Sequence, residues 1–193
     1  VYTQCVDYPS GAFTPVAPTI DGQVDTLWNS ARGPVNLDID KLAENEEGTG
    51  KEGFEGDWQL MFDKDSMYIL VTTNDEDLIN DSGGETWKDD GVELYFDADN
   101  SKNEDPSPPT HGDYDENDWQ YIFRWNDSEI YAYHDESTGI DSVDAGMNFV
   151  FNQTATGYNF EVAISWEDAV GFTPTITDTV GFEIRVNDDD DGG

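Results

Sequence analysis

Positively charged side chains are scarce in this chain of 193 residues. Only 8 lysines and arginines stand against 44 aspartates and glutamates, which gives a formal net charge of −36. Proteins that bind nucleic acid or anionic membranes need lysine and arginine to neutralise phosphate. The charge therefore argues against both partners. Because like charges at this density repel one another in the folded chain, we expect bound cations to neutralise part of them.

Cysteine, histidine and long apolar stretches are also nearly absent. Cys5 is the single cysteine, so no disulfide can form within the chain. No stretch approaches the roughly 18 apolar residues of a membrane-spanning helix, so we expect no membrane insertion. The two histidines and the lack of P-loop, nucleophile-elbow or metal-hydrolase spacings argue against an enzyme. We expect a non-catalytic protein, and the acidity favours an extracellular one.

The apolar residues that are present lie in short alternating segments, bounded by Gly, Asn, Asp and Pro. Alternation with a period of two is typical of β-strands with one buried face. The predicted strands cover residues 57–63, 66–74, 91–97, 118–126, 128–134, 146–154, 157–166 and 180–188. Residues 38–56 are predicted to form a loop. Ser165 is predicted to cap a short helical turn that ends before Gly171.

About nine antiparallel strands and almost no helix predict an all-β fold, an antiparallel, jelly-roll-like β-sandwich. In strand 118–126, alternation directs Trp119 and its apolar partners to the core and Arg124 to the opposite face. The same argument places Glu93 and Arg185 on outward rows. All tryptophans other than Trp87 are predicted to lie in the core: Trp28, Trp58, Trp119, Trp125 and Trp166.

Five segments together resemble a known family: 18–31 (PTIDGQVDTLWNSA), 58–78, 87–100 (WKDDGVELYFDADN), 115–126 and 181–193. They are similar to the family 9 carbohydrate-binding modules over residues 18–193. The resemblance implies a calcium-binding β-sandwich without catalytic activity, preceded here by an arm of residues 1–17. It also implies a polysaccharide or oligosaccharide ligand, because members clamp a terminal sugar between two tryptophans.

The resemblance assigns individual positions. Trp87 matches one clamp tryptophan, and Glu93 matches the acidic partner six residues later. Arg124 matches a family arginine, with Ile122 as the alternative at that register, and Arg185 stands where a glutamine is expected. The second clamp tryptophan would follow the last predicted strand, beyond these 193 residues. The family's C-terminal segment is thus expected to be lacking.

The chemistry of these side chains supports the same assignment. A sugar ring stacks its C–H face on an indole, and its hydroxyls bind charged partners. Trp87 lies between Thr86 and Lys88 and has few apolar neighbours to bury it. The structural alternatives are packing of Trp87 under a loop, and an exposed ion pair between Glu93 and Arg124.

Acidic and amide residues crowd the end of the predicted strand 91–97. Calcium takes about six to eight oxygen ligands from convergent loops. The segment 97–103 begins like an EF-hand loop, but Lys102 occupies the position that requires glycine, so it is not one. We predict instead a calcium site formed by Asp97, Asp99, Asn100, Asp113, Asp115 and Asp118. Residues 74–81 and 187–193 are further candidates, and a solvated acidic surface is the alternative.

The N-terminal arm leads to a second hypothesis. Residues 1–15 alternate like a strand, and a sandwich with an unpaired edge can accept a strand from another chain. The chain would then be an extracellular filament or sheath subunit that self-associates through residues 1–15, with calcium bridging its acidic surfaces. A disordered linker and a strand added to the chain's own module are the alternatives for the arm.

Overall fold

A computed structural model describes residues 13–37, 55–100, 117–134, 141–143, 146–171, 173–175 and 178–189. Within these ranges, two five-stranded antiparallel sheets pack face to face. Numbered along the chain, the first sheet contains, in spatial order, β1 (Arg32–Asn36), β2 (Glu55–Phe62), β3 (Ser66–Asn74), β9 (Tyr158–Ser165) and β8 (Asn148–Gln153). The second contains β10 (Gly181–Asn187), β4 (Gly91–Asp97), β5 (Asp118–Arg124), β6 (Ile130–Tyr133) and β7 (Asp141–Val143).

The predicted antiparallel β-sandwich is confirmed, with small differences at its margins. Strands β1 and β7 were not predicted, and β2 begins at residue 55, inside the predicted loop 38–56. Residues 38–54 of that loop lie outside the described residues.

Local capping explains where the elements stop. Between β2 and β3, the Asp63 carboxylate accepts the backbone N–H of Asp65 at 2.8 Å, which stabilises the tight turn. The predicted helical turn follows β9 as Trp166–Val170; Ser165 caps its start, and Gly171 ends it at a φ of +84°. In the described part of the chain, no helix is long and apolar enough to cross a membrane.

The core lies between the sheets and is rich in aromatic rings. The Phe123 ring of the second sheet lies 5.1 Å from the Phe160 ring of the first, so the two sheets interdigitate as alternation predicts. Trp28, Trp58 and Trp166 are buried as expected. Trp119 and Trp125 pack against the core but are only half-buried.

A second apolar cluster covers the other face of the first sheet, where Trp28 packs on Met61, Tyr68 and Leu70. Its polar anchor is Glu161 of β9, which is fully buried. One carboxylate oxygen of Glu161 accepts the Trp28 indole N–H at 2.7 Å. The other oxygen accepts two backbone N–H groups from the turn at residues 21–22, at 2.9 and 2.6 Å. The Glu161 carboxylate therefore helps to hold the segment 18–31 to the sheet.

Replacing Glu161 with alanine should lower the free energy of unfolding by roughly 3 kcal/mol, because three N–H donors, two of them buried, lose their acceptor. Glu161→Gln keeps one acceptor oxygen and should lose about half as much. Urea unfolding followed by far-UV circular dichroism measures both, with the exposed Glu167→Ala as the matched control. A Glu161→Ala variant as stable as the control would contradict this role.

The end of the N-terminal arm contacts its own module. Phe13 forms an isolated parallel bridge with Phe62 of β2, and the Thr14 N–H donates to the Phe62 carbonyl at 2.8 Å. Residues 1–12 lie outside the described residues. Strand exchange through residues 1–15 therefore stays a prediction.

Candidate functional site

Residues 75–90, called here the Trp87 loop, join β3 to β4 at one end of the sandwich. The carboxylate of Asp89 organises this loop from inside, since its side chain is fully buried. Its Oδ1 accepts the backbone N–H groups of Asp81 and Ser82, each at 2.8 Å. A buried carboxylate is stable only when such donors surround it. The loop therefore folds around Asp89 as around a core residue.

The next residue, Asp90, connects the Trp87 loop to two other segments. Its side chain accepts the backbone N–H of Ile79 at 2.5 Å and that of Asp189 at 3.0 Å. Its carbonyl accepts the N–H of Trp125 at 2.8 Å. Burial raises the pKa of Asp90 to about 8, and the nearby charge of Asp75 adds to this shift. Asp90 thus ties the ends of β5 and β10 to the loop.

Arg124, at the end of β5, holds the loop from the outside. One Nη donates to the Gly83 carbonyl at 2.8 Å and to the Asp89 carboxylate at 3.1 Å. The other Nη donates to Asp127 at 2.6 Å, and the guanidinium lies 5.5 Å from the centre of the Tyr131 ring. Arg124 therefore joins the Trp87 loop to the β5–β6 hairpin, and its direct contact with a sugar stays a prediction.

Trp87 is the most exposed of the six tryptophans, with 39% of its surface accessible. It follows the buried Thr86 and precedes Lys88, whose ammonium pairs with Glu85 at 3.0 Å. The indole is therefore not buried under the loop, and its stacking on a sugar stays a prediction.

Glu93 points away from the core, as alternation predicted, yet it is only 1% exposed. Its Oε1 accepts the Asn187 amide N–H at 2.7 Å, and its Oε2 accepts the Gln120 amide N–H at 2.7 Å. The Tyr95 hydroxyl also donates to Oε2. This polar network joins β10, β4 and β5. We call these four side chains the Glu93 network.

The two remaining predicted positions, Arg185 and Ile122, lie on opposite sides of Glu93 in the sheet. Arg185 lies directly opposite Glu93 in the β10–β4 ladder, next to the Glu93 network. Ile122 lies opposite Glu93 on the other side, in β5, and is fully buried. The alternative of an exposed ion pair between Glu93 and Arg124 is wrong, because Glu93 is buried and Arg124 pairs with Asp89 and Asp127.

The predicted calcium ligands lie at the opposite end of β4. Asp97 faces Asp118 across the β4–β5 ladder, and the Asn117 amide donates to the Asp99 carboxylate at 3.2 Å. Asn100 adopts a positive φ of 51° in the same bend. Asp113 and Asp115 lie outside the described residues. This site therefore stays a prediction.

Two other carboxylate groups lie at the end that carries Trp87. In each group, one oxygen from each of three aspartates lies within 4.8 Å of the others. The first group is Asp75, Asp90 and Asp188, and the second is Asp81, Asp89 and Asp189. Each group takes one aspartate from the candidate segment 74–81 and one from 187–193. The third member, Asp90 in the first group and Asp89 in the second, was not predicted. No local pattern signals it, since its partners are distant in sequence.

The fold and these side chains define a class of protein: a β-sandwich of the carbohydrate-binding-module type. A family model described as "Carbohydrate family 9 binding domain-like" matches residues 20–193. The chain belongs to this family.

Solved structures of a family 9 module from Caldicellulosiruptor kristjanssonii, in complex with cellotriose and with glucose, share the fold. Each has a TM-score of 0.60; they are 21% and 20% identical to this chain, and the matches cover 91% of it and 74% and 76% of theirs.

Curated relatives include the exoglucanase XynX of Acetivibrio thermocellus and the endo-1,4-beta-xylanase A of Thermoanaerobacterium saccharolyticum, each 27% identical over 176 residues. These matches cover 91% of this chain but only 14% and 13% of the relatives. The chain thus spans about one seventh of their length.

Replacing Arg124 with glutamine should lower the free energy of unfolding by about 3 kcal/mol, because it leaves buried Asp89 without its charged partner. Burial alone would raise the pKa of Asp89, but its N–H donors and Arg124 lower it below the usual 3.8. A carboxylate whose pKa is lower in the folded than in the unfolded protein stabilises the fold at pH values above its unfolded-state pKa. This contribution to stability is lost as the pH falls through the folded-state pKa.

Urea unfolding of the Arg124→Gln and unsubstituted chains at pH 7 and pH 3 tests this. The difference in stability should be smaller at pH 3. Lys88→Gln, which removes an exposed pair, is the control and should change stability by less than about 1 kcal/mol. A difference that is unchanged at pH 3 would contradict the assignment.

Proposed function

We propose that this chain is a secreted, non-catalytic module that binds a saccharide by stacking it on Trp87. We also propose that bound calcium stabilises the module. The observation that carries the proposal is the 39% exposure of an indole on a loop that two fully buried carboxylates hold in place. An aromatic ring fixed before binding loses little conformational entropy when a sugar stacks on it.

The Glu93 network supplies the polar half of the proposed site. A carboxylate can accept about four hydrogen bonds, and the network shows three donors on Glu93. The amides of Gln120 and Asn187 are thereby oriented, with Arg185 beside them. Such fixed amide and charged groups suit sugar hydroxyls, which both donate and accept. We propose that Arg185 and the half-buried Gln120 amide are the direct polar partners, that buried Glu93 acts in the site by orienting these groups, and that Arg124 holds the loop.

The proposed ligand is a neutral oligosaccharide of β-1,4-linked glucose or xylose. The related structures hold cellotriose and glucose, and the curated relatives are named exoglucanase and xylanase. A net charge of −36 disfavours acidic polysaccharides by long-range repulsion. An extracellular location follows from such a ligand, because these polymers lie outside cells. No contact among the described residues favours the filament alternative over this function.

Calcium binding is proposed at Asp75, Asp90 and Asp188. All three offer carboxylate oxygens, the ligands that calcium prefers, and the first two are buried. Buried carboxylates that approach one another repel, so a cation there would remove a cost of folding. In the second group, Asp89 already bonds Arg124, which makes the first group the better fit. The ion would help to hold the Trp87 loop.

Trp87→Ala should weaken binding of cellotriose or xylotriose at least tenfold, because the stacking platform is lost. Isothermal titration calorimetry at fixed calcium measures the affinity. Val24→Ala, another exposed apolar residue, is the matched control and should bind like the unsubstituted chain. Failure of both sugars to bind the unsubstituted chain, or equal affinity in Trp87→Ala, would contradict the proposal.

Millimolar calcium should raise the melting temperature by roughly 5 to 10 °C, since an ion at about 100 times its Kd adds about 2.7 kcal/mol. Sodium at matched ionic strength should raise it far less. Asp75→Asn should abolish the calcium shift, whereas the double change Asp97→Asn, Asp99→Asn should abolish it only if the ion binds at the opposite end. Equal shifts with both salts would refute a specific site.

A further inference from the structure

A shallow cleft, largely open to solvent, lies between the start of the Trp87 loop and the turn that follows β5. It is lined by Glu76, Asp77, Leu78, Ile79, Trp125 and Gln153 and has a volume of about 600 Å³. Ligand pockets in proteins usually measure about 300–1,000 Å³. We call it the Trp125 cleft. Its lining shares no residue with Trp87, the Glu93 network, Arg124 or Arg185.

The Trp125 indole is one of the residues that line this cleft, and its position is fixed by packing. The fully buried Tyr158 stacks on it, with ring centres 5.8 Å apart, and the Phe151 ring meets its edge at 5.7 Å. The Trp125 backbone is fixed as well, because its N–H donates to Asp90 and its carbonyl accepts the Asn80 amide at 2.6 Å. The half-buried remainder of the indole lines the cleft, as a stacking surface for a sugar ring requires.

Polar groups surround this indole at the rim. Glu76, Asp77 and Gln153 are exposed, so two carboxylates can accept from sugar hydroxyls and one amide can both donate and accept. Half-buried Leu78 and Ile79 add apolar surface. An aromatic side chain with polar groups along the same cleft offers both the stacking surface and the hydrogen-bonding groups that a sugar needs. The two carboxylates would repel an acidic saccharide.

We propose that the Trp125 cleft is a second carbohydrate subsite, for a neutral oligosaccharide, and that it binds independently of Trp87. The inference goes beyond the proposed function, which needs only the Trp87 site. Two sites on one module would let it hold two stretches of one polymer, so that a long ligand binds more tightly than either site does alone.

Indole N–H resonances in ¹H–¹⁵N NMR spectra test the proposal, with Trp87 and Trp125 assigned from the Trp87→Phe and Trp125→Phe variants. Titration with cellotriose should shift both resonances. In Trp87→Ala, the Trp125 resonance should still shift with an unchanged Kd. Gln153→Ala should weaken the Trp125 response about fivefold and leave the Trp87 response unchanged. Asn148→Ala, at the other end of β8, is the matched control.

The outcomes separate the two claims. A Trp87 response without any Trp125 response overturns the second subsite and leaves the proposed function standing, whereas no response at either indole overturns both. Loss of the Trp125 response in Trp87→Ala overturns its independence. A trimer of galacturonic acid should leave the Trp125 resonance unmoved. An equal shift with this acidic sugar would overturn the assigned ligand class.

Discussion

The buried carboxylate of Asp90 is the contact on which the functional end of this molecule depends. It accepts backbone N–H groups from Ile79 and Asp189, while its own carbonyl bonds Trp125. The loop that carries Trp87, the end of β10 and the turn after β5 thereby meet at one residue. This junction adds to the contacts of Asp89 and Arg124 that hold the Trp87 loop and to the aromatic packing that holds Trp125. Because the same carboxylate lies near Asp75 and Asp188, the proposed calcium site and the proposed sugar sites depend on one residue.

Buried carboxylates hold several segments of this protein together, although burying a charged group costs free energy unless it is hydrogen-bonded. Glu161, Asp89, Asp90 and Glu93 are all buried, and each accepts two or more hydrogen bonds from backbone or side-chain donors. Because basic side chains are scarce, most of the hydrogen bonds to these carboxylates come from uncharged groups. Arg124, which donates to Asp89, is the charged exception. A carboxylate accepts several donors at once and can therefore join segments that no apolar contact would orient so specifically. The proposed calcium ion extends the same arrangement.

Local sequence patterns were sufficient for much of the fold but not for the site. Alternation in 118–126 identified the inward row, and Ser165 signalled a cap, because each feature is decided by near neighbours. The polar neighbours of Trp87 likewise predicted its exposure. Alternation gave the direction of Glu93 but not its burial, which depends on Asn187 and Gln120 in other strands. The role of Asp90 was missed because its partner Asp189 lies 99 residues away.

A crystal structure of the chain grown with calcium and cellotriose would test the central claim most directly. The account predicts a sugar ring on the Trp87 indole, hydrogen bonds from its hydroxyls to the Glu93 network, and an ion among Asp75, Asp90 and Asp188. The Trp87 loop should keep the position it has here, since its buried anchors already fix it. A bound sugar that leaves Trp87 uncovered, or a Trp87 loop rebuilt around the ligand, would contradict the account.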